Sequence, residues 1–187
     1  MNGWWSQYSG SFGLLEQPIC RGFGLRFCSL RSSARRSGQH LTQEIPFILP
    51  IHAQSLPPEI LNGLFLLTPN QTEAGLLTGI EVQCQETATA AAEILLEQGV
   101  ENVAITLGSG GVLLASKSGS ELIAAPEVSA VESTAAGDCF NGACAVTLAR
   151  GLSLNEAVRY ACQAAAVSVT RMGAQDSLPR ANEVQLP

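Results

Sequence analysis

The sequence predicts an α/β fold in which helices flank a mixed sheet that ends in a β-meander. Three patterns carry that expectation. Up to residue 107, apolar runs of strand length are interspersed with helical stretches. Short glycine-rich turns then separate strand-length segments, the mark of hairpins and so of antiparallel pairing. Two long helical stretches, rich in Ala, finish the chain. The order is βα, αβ, meander, αα, whereas unbroken alternation would have pointed to a doubly wound sheet.

Taken in order, Pro46 to Leu49 is a short apolar strand and Leu56 to Asn62 a short helix. Leu64 to Thr68 (LFLLT) is apolar enough for a buried strand. Asn70 to Thr78 is a helix closed by Gly79, a residue suited to the left-handed C′ position. Glu86 to Gln98 (ETATAAAEILLEQ) is a strong helix closed by Gly99. Val103 to Leu107 (VAITL) is a second buried strand. Gly108-Ser109-Gly110-Gly111 is a tight turn into Val112 to Ala115, and Lys117 to Ser120 a turn into Leu122 to Ala125. Glu127 to Val131 alternates as a further strand. The closing helices span Asp138 to Arg150 and Leu154 to Arg171. Ser153 and Glu156 form a capping box for the second, and Gly173 ends it.

At 187 residues the chain can build one domain with its own core. With 46% apolar and 14% charged residues it is globular in composition, not disordered. A net charge of −6 argues against a nucleic-acid partner, because phosphate contacts need clustered Lys and Arg. The few aromatics gather near the N-terminus, so a base-stacking surface is not expected either. The six cysteines contain no C-x-x-C pair, and the two histidines, His40 and His52, do not make a zinc site of the usual spacing. Cys139, Cys144 and Cys162 lie in helical text and are expected in the core of a chain kept in a reducing, cytosolic compartment. No apolar run has the length of a membrane span. Residues 1–44 show no lasting period and hold five of the ten basic residues. Residues 21–40, rich in Arg and Ser and free of acids, weakly suggest a transit peptide. A non-native or disordered leader is the plainer reading.

The strongest chemical signal is Ser133-Thr134-Ala135-Ala136-Gly137-Asp138-Cys139-Phe140-Asn141-Gly142. Small residues lead into a helix N-terminus, so nothing bulky blocks the backbone. The N–H groups of Ala135 to Asp138 are expected to be free donors, and the helix dipole adds positive potential. The dipole also favours a negative charge on Asp138, which could take the proton of an attacking hydroxyl in phosphoryl transfer. The bland alternative is a helix cap after a turn glycine. Thr68-Pro69-Asn70-Gln71-Thr72-Glu73-Ala74 likewise puts Asn70 and Glu73 in N-cap and N3 positions, a plain capping box on its own. The turn at 108–111 lacks the third glycine of a dinucleotide-binding loop and the G-K-[ST] of a Walker A loop.

Taken at full length, A-A-G-D-x-F-N-G closely resembles the G/A-A-G-D-x-F-x-G signature of ribokinase-like sugar kinases, the PfkB carbohydrate kinase family. T-P-N-x-x-E-A with Leu77-Thr78-Gly79, the T-L-G-x-x-G-V string from Thr106 to Val112, and the T-R-x-G-A-Q tail from Thr170 to Gln175 resemble further family segments in register. The resemblance implies a ribokinase-like, mostly parallel mixed sheet and an ATP-dependent phosphorylation of D-ribose to D-ribose 5-phosphate. It implies Asp138 as catalytic base and sugar contact, with Ala135, Ala136, Gly137 and Asp138 as the phosphate loop. It implies nucleotide contacts from Asn70, Thr106, Leu107, Gly108, Ser109, Gly110, Gly111, Ala136, Gly137 and Cys162, the last beside the adenine. It implies magnesium near Glu73 through water, and potassium at Glu132, Thr134, Ser168, Arg171, Gly173 and Ser177. Family members usually carry Asp where Glu132 stands and His or Asn where Cys162 stands.

The motifs run from about Ala53 to Pro187, the C-terminal half of a ribokinase. The resemblance implies a front half that supplies the sugar pocket and a dimer-forming lid, and residues 1–52 are expected to hold no counterpart to it. The expected organisation is therefore a non-homologous or poorly ordered leader over 1–52, then the nucleotide-binding and catalytic part over 53–187. The expected setting is cytoplasmic, with ATP and ribose as partners, no nucleic acid, no membrane and a homodimeric full-length parent. Two alternatives stand beside this: a nucleotide-binding fragment without turnover, and a kinase for another sugar or nucleoside. An exposed sheet edge would make the isolated chain prone to aggregation.

Overall fold

The computed structural model describes the backbone of residues 31–36, 39–44 and 48–49, and residues 61–184 in full. The chain divides into two units, residues 1–45 and residues 46–187. The first contains a hairpin of β1 (Arg31–Arg36) and β2 (Gln39–Glu44), paired antiparallel. No apolar alternation in that stretch signals it.

The second unit holds a five-stranded sheet in the order β3 (Ile48–Leu49), β4 (Leu66–Leu67), β5 (Asn102–Thr106), β6 (Val112–Ser116), β7 (Gly119–Ile123). The pairs β3·β4 and β4·β5 are parallel, and β5·β6 and β6·β7 antiparallel, so the expected mixed sheet with a meander is present. Among the described residues four helices accompany it: α1 (Gln71–Thr78), α2 (Gln85–Glu97), α3 (Ala136–Ala149) and α4 (Leu154–Ser168). The helix expected at 56–62 falls largely outside the described residues.

Alternation along the strands divides the core into two layers. Leu66, Ala104, Val112 and Ile123 pack with Phe140, Cys144 and Leu148 of α3 and Ala157, Val158, Ala161 and Cys162 of α4. On the other face α2 packs against β5 and β6, with Ala88, Ala91, Ala92 and Leu95 fully buried. Small residues on α2, α3 and α4 allow close helix–sheet approach. Each buried Leu or Ile still removes enough apolar surface to be worth about 1.5–3 kcal/mol.

Local chemistry sets most boundaries. Asn70 and Glu73 close a capping box at the start of α1, Ser153 and Glu156 another at the start of α4. Gly79 ends α1 with φ 77°. Gly111 is demanded more strictly: at φ 96°, a Cβ there would sit 2.1 Å from the Ile123 carbonyl oxygen. The β6–β7 hairpin can close over that position only because the side chain is absent. β7 itself is exposed except for Ile123. Glu121 on β7 reaches the last helix, where it pairs with the Arg159 guanidinium and accepts from Asn155 Nδ2 at 2.6 Å.

Three expectations need correction. Glu127 to Val131 forms no strand: Val128 and Val131 are both exposed, and the Val131 N–H goes to the Val169 carbonyl at 2.7 Å. Its alternation faces water on both sides. The third strand of the meander lies at Gly119–Ile123 rather than 122–125, because Gly119 supplies the positive φ that lets the turn close early. The last helix stops at Ser168, not Arg171. There the Ser168 and Thr170 hydroxyls turn back onto the carbonyls of Ala165 and Val167, while the Val169 carbonyl accepts from Val131 and Glu132.

Candidate active site

β4 and β5 are parallel neighbours, so both chains leave the sheet at the same edge. Thr106 N–H donates to the Pro69 carbonyl at 2.9 Å, and Asn70 and Thr106 form a parallel bridge beyond the strands. This seam fixes the start of α1 against the turn that follows β5. The amino end of α3 arrives opposite. Between them lies a cleft of about 480 Å³. One wall carries Thr68, Asn70, Gln71, Thr72 and Glu73, the floor Thr106 and Gly108, and the facing wall runs from Ser133 to Asn141. A cleft outside the carboxyl ends of parallel strands is where open α/β sheets bind ligands.

The amino end of α3 differs from those of α1 and α4. Its N-cap, Ala135, offers no side-chain cap. The expectation of four free N–H groups is corrected to three. Ala136 N–H donates to the Ser133 carbonyl at 3.1 Å, while those of Ala135, Gly137 and Asp138 have no backbone acceptor among the described residues. Gly137 is exposed, and a Cβ on it would meet nothing within 4 Å. The fold therefore does not require glycine there, and Gly137 lines the cleft. Asp138, in the first turn of α3, is exposed and lines the same cleft.

Across the gap, Asn70 Oδ1 accepts from Glu73 N–H at 2.9 Å, and Glu73 Oε2 from Asn70 N–H at 2.8 Å. This leaves Glu73 Oε1 outside the capping box. The glycine turn is a single turn of 3-10 helix over Gly108–Gly110, closed by Leu107 N–H on the Gly111 carbonyl. Of its residues only Gly108 lines the cleft; Leu107, Ser109, Gly110 and Gly111 do not. Ala135 is buried behind its wall.

Glu132, Thr134 and Gly173 come together: Glu132 accepts from Thr134 Oγ1 at 2.7 Å and from Gly173 N–H at 2.8 Å. These bonds, the Gly173 amide first, hold the Glu132 carboxyl below its usual range. The other three members of the expected cation set stand differently. Ser168 is buried with its hydroxyl on the Ala165 carbonyl, and Ser177 is buried with its hydroxyl near the Ala174 carbonyl at 3.4 Å. The Arg171 guanidinium is bound to Glu183 at 2.5 Å. No cluster of three or more His, Cys, Asp or Glu side chains suited to a metal occurs among the described residues.

Cys162 does not line the cleft; it sits in the core against α3, and burial pushes its thiol up to about 11. Cys144, deeper still, is pushed up to about 12 by burial and by Cys162 nearby. Both are inert packing residues, as expected of cysteines in helical Ala-rich text. Sequence reasoning assigned no role to Thr68 and Asn141, which line the cleft and touch: Thr68 Oγ1 donates to Asn141 Oδ1 at 2.7 Å. Both lie inside motifs already singled out, but a contact across 73 residues leaves no local pattern. No helix among the described residues is long and apolar enough to cross a membrane.

Known proteins resemble this chain in sequence and fold. The family described as pfkB family carbohydrate kinase matches residues 28–181, from before the expected motif onset at 53. Ribokinase of Haemophilus influenzae is 44% identical over 134 residues, covering 72% of this chain and 44% of that protein. Ribokinase of Staphylococcus aureus is 38% identical over 136 residues, covering 72% and 45%. A crystal structure of Thermotoga maritima ribokinase superposes with TM-score 0.63 at 43% identity, over 68% of this chain and 43% of that one. The Arabidopsis thaliana ribokinase structure complexed with ribose and ATP superposes with TM-score 0.69 at 32% identity, over 74% and 46%. The chain thus spans less than half the length of these relatives. The fold is ribokinase-like, and the chain belongs to the pfkB family of carbohydrate kinases.

Proposed function

We propose that this chain supplies the nucleotide-binding and catalytic part of an ATP-dependent sugar kinase that converts ATP and D-ribose to ADP and D-ribose 5-phosphate. One observation carries the reading: a single cleft presents the Asp138 carboxylate, the uncapped amino end of α3, and the Asn70–Glu73 wall facing them. Ribose and ATP are the ligands of the Arabidopsis relative, and ribokinases of Haemophilus influenzae and Staphylococcus aureus are among the similar proteins.

In this reading Asp138 accepts the proton of the primary hydroxyl as its oxygen attacks the terminal phosphorus. The N–H groups of Gly137 and Asp138, which line the cleft, with the helix dipole, stabilise the charge on the transferring phosphoryl group. The open side of Gly137 lets a phosphoryl oxygen come within hydrogen-bond range of the backbone. Asn70 contacts the phosphate chain, and the segment from Thr106 to Gly111 lies along the nucleotide, with Gly108 nearest.

Magnesium fits these residues, because it is commonly held by one or two carboxylates together with substrate phosphates. Glu73 keeps one oxygen outside its capping box and would hold the ion through water. When bound, the ion neutralises charge spread over the phosphates. Glu132, Thr134, Ser168, Arg171, Gly173 and Ser177 would hold potassium, and their hydroxyl, carboxylate and carbonyl oxygens suit a hard cation. Arg171 would contribute its carbonyl, since its guanidinium is committed to Glu183. The cleft takes a small sugar and a nucleotide; a cytoplasmic setting and a homodimeric parent complete the proposal.

A second reading, nucleotide binding without turnover, is favoured by coverage of only 44% and 45% of the two relatives' lengths. The test is a coupled ADP-release assay with ribose, MgATP and KCl beside an ATP titration, on the wild type and Asp138→Asn. Turnover that falls about 10²–10⁴-fold in the variant, with nucleotide affinity retained, is the expected outcome. Binding without turnover in the wild type selects the second reading. No binding at all overturns both. A panel of sugars and nucleosides then decides between ribose and other acceptors.

A further inference from the structure

The Thr68–Asn141 hydrogen bond joins the two walls of the cleft. Thr68 follows β4 and is only 5% exposed, so its hydroxyl has little access to water as a substitute partner. Asn141 lies three residues after Asp138 on α3, and residues three apart share a helix face. A bond that holds Asn141 therefore also holds the rotation of the turn that presents Asp138. This turn has no side-chain cap of its own.

The bond also orients the Asn141 amide. Its Oδ1 accepts from Thr68 Oγ1 at 2.7 Å, so the NH₂ group, with two donors, is the other end. Asn141 lines the cleft, and the described hydrogen bonds occupy it only through its oxygen. Resting on the kinase reading above, we propose that Thr68 is a positioning residue. Its hydroxyl locks the Asn141 amide with its donors toward the cleft, where they meet an anionic oxygen of the nucleotide's phosphate chain.

The experiment measures MgATP affinity by calorimetry and melting temperature by fluorescence, on the full chain and its variants. Thr68→Val keeps the shape and deletes the hydroxyl; it is expected to weaken MgATP binding about tenfold, the scale of one hydrogen bond to a charged group. Thr68→Ser, which keeps the donor, restores binding. Asn141→Asp keeps the acceptor for Thr68 but turns the cleft-facing donors into a charged oxygen, and is expected to weaken binding more than Thr68→Val does. In an Asn141→Ala background, Thr68→Val adds nothing, because the two act as one unit. Thr68→Val that lowers the melting temperature without changing affinity overturns the proposal, as does Asn141→Asp with wild-type affinity. A wild-type chain that fails to bind MgATP overturns the kinase reading and this proposal together. Wild-type binding with unaltered variants overturns this proposal alone.

Discussion

Gly137→Ala separates what the fold needs from what a ligand needs. A Cβ at Gly137 would touch nothing within 4 Å, and the residue has helical backbone in the first turn of α3. Alanine is better than glycine in a helix interior by about 0.8–1.0 kcal/mol, and by roughly half that in a first turn. For a chain of this size such a gain raises Tm by about 1–2 °C. A phosphoryl oxygen must come to about 2.7–3.1 Å of the backbone N–H to be stabilised there. The added methyl occupies that approach. Losing one charge-assisted bond costs about 1.5–3 kcal/mol, or about 10- to 150-fold in affinity or rate. Calorimetry and the ADP-release assay on Gly137→Ala should therefore show a chain at least as stable as the wild type and at least tenfold poorer with MgATP. Gly142→Ala is the control: it lies on the same helix with equally open space but does not line the cleft. It should gain stability and keep nucleotide binding. Wild-type binding and turnover in Gly137→Ala would refute the phosphate-loop assignment, and a lowered Tm would refute the open space.

Gly111→Ala should do the opposite, since its Cβ would be driven to 2.1 Å from a backbone oxygen at φ 96°. Overpacking and the left-handed strain add to about 3 kcal/mol or more, seen as a lower urea midpoint or loss of the folded chain. Acid should weaken the fold through the C-terminal carboxylates. Bonds from Arg171 and from the Arg180 N–H hold Glu183 down from 4.5 to about 2, and Glu132 and Glu156 are lowered too. A depressed carboxyl stabilises the fold fully above its unfolded value and loses that contribution as pH falls through the folded one. Melting temperature should therefore decline between about pH 4.5 and 2, and Glu183→Gln should show a shallower decline over that window.

Legibility followed the range of the determining interactions. The α1 boundaries were readable because Asn70, Glu73 and Gly79 act within one turn of the helix end. The meander was readable from its glycines, and one wall of the candidate cleft from one contiguous string around Asp138. Glu127 to Val131 misled because alternation reports a strand only when a partner edge exists, and here the N–H of Val131 had the carbonyl of Val169, just past the last helix, to go to. Cys162 was assigned to the adenine by register with the family, yet the chain packs it among Phe140, Ala104 and Val158. An apolar thiol in place of a hydrogen-bonding side chain has no reason to face a polar ligand. The Thr68–Asn141 contact was invisible because only the folded sheet brings those segments together.

The tie between Glu121 and the Arg159–Asn155 pair has a consequence for how the molecule comes apart. The outermost strand is soaked in solvent along four of its five positions, so little oil-like burial anchors it. What fastens it to the final helix is an ionic clasp on the surface, and dissolved salt loosens such clasps. The first ply to peel is thus this outer strand, and raising ionic strength frays that margin while Val103 to Ile105, sealed in the middle, stay shut.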